Sequence, residues 1–65
     1  MNNKIEINHK EYMAKVKNMS EQALRYTIKD ARAAHDAMPD GAKAGYYLDE
    51  ISYCMMELRK RAGND

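Results

Sequence analysis

Apolar residues recur with a helical period in three stretches of this chain and alternate with polar ones in only one short place. Tyr12, Met13, Val16 and Met19 stand at i, i+1, i+4 and i+7, one face of a short helix, with Lys10, Lys15 and Lys17 off that face. Asn8 precedes them, and Glu11 follows it at the spacing of a capping box. A first helix is predicted over about residues 9–18. Ser20 opens the second, with Glu21 in its first turn. A hydroxyl oxygen there can take an orphan N–H, and an acid suits the positive end of the helix dipole. The inward face reads Leu24, Thr27, Ile28, Ala31, Ala34, His35 and Met38 over four turns. It stops before Pro39, which disfavours helical geometry at the residue preceding it. The second helix is predicted over about residues 20–38.

The third stripe is the longest: Ala44, Tyr47, Leu48, Ile51, Cys54, Met55, Leu58 and Ala62. Asp40 is its expected cap, Lys60 and Arg61 suit its last turn, and Gly63 suits the position after its end. A helix is predicted over about residues 42–62. Pro39, Asp40 and Gly41 then form a joint of about two to four residues, short enough to set the two long helices antiparallel. Ala31, Ala34 and Ala44 permit close approach. Gly45 inside a helix costs about 1 kcal/mol against alanine, so a close backbone contact or a late helix start should offset it. Over residues 1–7, Ile5 and Ile7 alternate with polar neighbours, which allows a short extended piece too small to make a sheet. The expected fold is all-α: a short N-terminal helix packed on a long antiparallel helical hairpin, one small domain across residues 1–65.

Composition adds a shortage. Hydrophobic residues make up 45% of the chain, but the only branched aliphatics are Ile5, Ile7, Val16, Leu24, Ile28, Leu48, Ile51 and Leu58, and there is no Phe or Trp. Methionine fills space without specifying packing, and a chain this small buries a modest core in any case. One cysteine makes no internal disulfide, and no metal-ligand spacing stands out. Oligomerisation or docking on a protein partner is therefore expected to add stability, and no cofactor is expected. A lone Cys54 and an opening without an apolar run point to a cytoplasmic protein without a signal peptide. No stretch is apolar enough for a membrane span. Net charge is +1, with acidic and basic side chains well mixed, which argues against nucleic acid as the main partner.

Candidate chemistry is sparse. His35 stands beside Asp36, but without converging ligands a partly buried, hydrogen-bonded histidine is expected. Cys54 lies between Ile51 and Leu58 on the apolar stripe, where a thiol behaves as a small hydrophobe rather than a nucleophile. Asp49 and Glu50 point about 100° apart on a helix and form no dyad, so they are expected to be solvated. The stretch around Gly41 and Gly45 lacks the spacing of a phosphate-binding loop. No enzyme is expected. Tyr46 and Tyr53, seven apart with Met56 beside them, make a second mixed face on the third helix. It either packs under the first helix or anchors an interface with a second copy or a partner. Arg25, Lys29 and Arg32, with Tyr26 alongside, form a stripe on the outer face of the second helix. That stripe is either a solvated face or an anion site, gripping the phosphates of a nucleotide-type ligand or, less strongly, of a nucleic acid.

Two resemblances follow from particular residues. The spacing of Ala34 and Pro39, with Leu48 in the next helix, resembles the helix pair of the tetratricopeptide family, though Asp49 stands where that family carries a small residue. It implies a helical hairpin. Residues 20–61, with the run Lys43 to Arg61, resemble small uncharacterised helical proteins of tailed phages. That resemblance implies an accessory protein in the cytoplasm of an infected bacterium, one that binds and inhibits a host or defence factor. From the residues themselves, the expected function is a non-catalytic, self-associating protein-interaction module.

Overall fold

The computed structural model describes residues 6–63 and is all-α. α1 spans His9–Lys17, α2 spans Glu21–Ala37 and α3 spans Ala44–Arg61. Of the extended piece expected over residues 1–7, all but Glu6 and Ile7 lies outside the described residues; Ile7 is buried in the core. The two N-caps form as expected. The Asn8 side chain accepts from the Glu11 N–H at 3.1 Å, and Ser20 Oγ accepts from the Ala23 N–H at 3.0 Å. Gly63, at φ 82°, follows the C-cap Ala62 and donates its N–H to Lys60 O at 3.1 Å. This left-handed geometry is one glycine adopts without a β-carbon clash.

The joint between the long helices is longer than the sequence pattern predicts and is built as two successive turns. Gly41 N–H donates to Met38 O at 3.0 Å, and Ala44 N–H donates to Gly41 O at 3.1 Å. Pro39 and Asp40 take the middle of the first, the residue order a type I turn favours. Asp40 is thereby spent in the turn and does not cap α3, whose N-cap is Lys43 with no side-chain hydrogen bond. The late start puts Gly45 in the first turn of α3, with no heavy atom within 4 Å of where a β-carbon would stand. Of the two compensations expected for Gly45, the late start is the one present.

α2 and α3 pack most closely, and α1 lies on α3. The core is Ile7, Tyr12, Val16, Leu24 and Cys54, with Leu24 and Cys54 fully buried. Met19, Ile28, Tyr46, Tyr53 and Leu58 pack against it. Five members of the expected stripes are not inside: Met38 is 66% exposed, Leu48 50%, Met13 and Met55 45%, and Ala62 is exposed at the end of α3. Met38 leaves the helix at φ −141°, ψ 71°, outside the α region that a following proline disfavours, so its side chain leaves the register of the α2 stripe. Leu48 and Met55 are exposed for a tertiary reason given below.

Arg61 joins the first helix to the third. Its guanidinium donates from Nη2 to Val16 O at 3.1 Å and Lys17 O at 3.3 Å, and from Nε to Glu57 Oε2 at 2.8 Å. Both carbonyls lie at the C-terminal end of α1, where a cation suits the dipole; Val16 O also accepts from the Met19 N–H at 3.2 Å.

Removing the Leu24 side chain should weaken the whole molecule, because among the described residues it is the one branched aliphatic with no solvent contact. Leu24→Ala is expected to lower the urea-unfolding free energy by about 2–5 kcal/mol. That is a large share of the roughly 3–10 kcal/mol typical of a chain this size. Ser20→Ala should cost about 1 kcal/mol in the same measurement.

Candidate functional site

α3 is the wall between two unlike sides of the molecule. Tyr46 and Tyr53 lie seven residues apart on one of its faces, and Leu48 and Met55 lie seven apart on another. The two pairs are offset by two residues, about 200° around the helix, so they face nearly opposite ways. α1 covers the tyrosine side. The Tyr12 ring meets Tyr46 edge-on at 6.4 Å and lies tilted against Tyr53 at 5.8 Å. His9 packs on Tyr53 at 5.7 Å and shares a hydrogen bond with its hydroxyl through Nδ1. Lys43 Nζ stands 5.0 Å from the Tyr46 ring and 5.3 Å from the Tyr47 ring. Of the interface candidates, Tyr46 and Tyr53 are thus half-buried beneath the first helix, while Met56 is 61% exposed.

Tyr12 reaches past these rings to α3. Its hydroxyl donates to Glu50 Oε2 at 2.7 Å. Glu50 is half-buried, so the expectation that it is simply solvated fails; its carboxylate serves the helix–helix seam. Burial, then the hydrogen bond to Glu50, pushes the Tyr12 phenol far above its ordinary pKa of 10.0. Burial likewise raises the Cys54 thiol, disfavouring the thiolate that a nucleophile needs. His35 is partly buried with Nδ1 3.4 Å from Asp36 Oδ1, as expected of a structural histidine. Among the described residues no group of three His, Cys, Asp or Glu could hold a metal ion, and no helix is long and apolar enough to cross a membrane.

Among the described residues, no helix lies over the opposite side of the hairpin. Between α2 and α3 runs an open groove of about 460 Å³ lined by Arg25, Ile28, Met55, Leu58 and Arg59. Leu48, two turns before Met55, continues its floor along α3, and half-buried Ile51 lies between them. Arg25 and Arg32 stand at i−3 and i+4 from Ile28, so both border it from α2. Of the basic stripe noted in the sequence, Tyr26 is the member that stands apart, while Lys29 lies only about 40° from Arg25 and about 60° from Arg32. Arg25 and Arg32 edge an apolar groove, Lys29 stands about 100° round from Ile28, and Tyr26, 69% exposed, faces outward on the far side of α2. Arg25 is 3.0 Å from Glu21 in an exposed i,i+4 pair. Such a pair contributes only about 0.3–0.5 kcal/mol, which leaves Arg25 available to another carboxylate.

Neither the groove nor its arginine edge is legible as a unit in the sequence. The apolar stripe of α3 is too wide for one neighbour, and that width was the available signal. Comparison with family models, with curated proteins and with solved structures finds no match to this chain.

Tyr12→Phe should keep the ring packing and remove only the hydrogen bond to Glu50, costing about 1 kcal/mol at neutral pH. The raised phenol also fixes a sign. The folded chain keeps the Tyr12 proton above pH 10.0, where the unfolded chain releases it. Stability from this group is whole below that pH and drains as pH rises beyond it. Urea midpoints measured from about pH 8 to about pH 11 should fall more steeply in the wild type than in Tyr12→Phe.

Proposed function

We propose that this protein is a non-catalytic protein-interaction module that binds through the open side of its α2–α3 hairpin. One observation carries the proposal. Leu48 and Met55, half-exposed, continue the apolar floor made by Ile28 and Leu58, on the side of α3 that α1 leaves bare. In a chain with only eight branched aliphatics, leaving such residues in water forgoes burial worth about 25 cal/mol per Å². Two antiparallel helices with an apolar groove are half of a four-helix bundle, and the missing half is a helix or helix pair from outside. Self-association through Tyr46 and Tyr53 has less surface to draw on, since both rings already serve α1. The resemblance of residues 20–61 to small tailed-phage proteins extends the proposal to a partner inside an infected bacterium.

The test is a pair of charges placed on the groove floor. The double variant Leu48→Glu, Met55→Glu should keep the helical circular dichroism of the wild type and shift its Tm by only a few degrees, roughly what half-exposed positions allow. It should also lose whatever protein the tagged wild type retains stoichiometrically from the cells that produce it. Equal retention by both proteins would sink the proposal, and so would unfolding of the variant, which would make these side chains part of the core.

A further inference from the structure

The geometry points to the kind of partner: an amphipathic helix whose apolar stripe is flanked by carboxylates. This rests on the open side of the hairpin being the docking face. A groove between two helices accepts the ridge of a third, and its floor of Ile28, Met55 and Leu58, extended by exposed Leu48 one heptad before Met55, suits apolar side chains at i, i+3 or i+4, and i+7. Its edges supply the charge. Arg25 and Arg32 stand on the α2 edge and Arg59 on the α3 edge, so the groove is bordered by guanidinium groups on both sides. Arginine pairs carboxylates through a planar fork. Two acids stand at the ends of the α2 edge, Glu21 within 3.0 Å of Arg25 and Asp36 beside His35, and both are largely exposed.

A second copy of this chain would bring the same arginine edges face to face, and like charges at a rim disfavour that pairing. An anionic membrane would match the charge but not the shape. Membrane-surface helices present a convex apolar face rich in large side chains, whereas this surface is a groove in a chain with no Phe or Trp. The floor runs from Leu48 to Leu58 along α3, about 15 Å, so the partner helix needs at least about three turns.

Two synthetic helical peptides of about fifteen residues test this. Both carry one leucine stripe; in one it is flanked by glutamates, in the other by lysines. With the full chain at low salt, the glutamate peptide should bind about tenfold tighter by fluorescence anisotropy, and the gap should close in high salt. Arg32→Glu with Arg59→Glu, checked for helical content, should reverse the preference. Leu48→Glu with Met55→Glu should abolish binding of the glutamate peptide. Equal binding of the two peptides, lost in the apolar variant, would overturn the carboxylate chemistry and leave the docking face standing. Binding of neither peptide overturns the inference. If the chain alone then forms a concentration-dependent dimer in sedimentation, and Leu48→Glu with Met55→Glu breaks it, the groove's occupant is a second copy and the interaction-module proposal survives. If phosphatidylserine vesicles bind the chain and neither peptide does, both proposals fall.

Discussion

Tyr12 is the contact on which the rest of this small structure depends. α1 has nine residues, too few to hold a helix in water by itself. It is held on α3 because one buried ring fills the space beside Leu24 and Cys54 while its hydroxyl finds Glu50 at 2.7 Å. A phenylalanine could fill the space but not satisfy the carboxylate. A leucine would reach neither of the tyrosine rings that flank it. With no Phe or Trp to use, the chain builds its seam from aromatics with polar tips, so every ring there also carries a hydroxyl that needs a partner or water.

That seam settles the two sides of the hairpin. A pair of amphipathic helices buries the stripe along its line of contact and leaves an apolar flank on each side. α1, stapled at its far end by Arg61, covers the flank that carries Tyr46, Tyr53 and Glu50. The other flank, with Leu48, Met55 and Ile28, has no cover among the described residues and carries arginines at its edges. Asymmetric covering is what leaves one side of the hairpin bare. The same economy explains the bare Met38: proline stops the helix, and the last inward position turns out with the chain.

Much of this architecture is local and was legible in the residues. Asn8 and Ser20 cap helices because a short polar side chain before an apolar period can reach the free N–H groups, whatever lies elsewhere in the fold. Pro39 ends α2 and Gly63 follows α3 for equally local reasons, one steric and one conformational. The joint was less legible. Two consecutive turns use backbone bonds that no side-chain pattern announces, and they moved the start of α3 past Asp40.

By itself, then, the sequence determined three helices, the N-caps of the first two, their antiparallel order and the fact that α3 carries more apolar surface than one neighbour can cover. Only the tertiary structure decided which part of that surface is covered. Tyr46 and Tyr53 differ from Leu48 and Met55 by a rotation about one helix axis, and periodicity treats both pairs as faces awaiting a neighbour. The choice came from contacts between residues far apart in the chain: Tyr12 with Glu50, His9 with Tyr53, Arg61 with the end of α1. Such pairings depend on shape and on hydrogen bonds across elements. No helical period encodes them, and they leave the arginine-edged groove open.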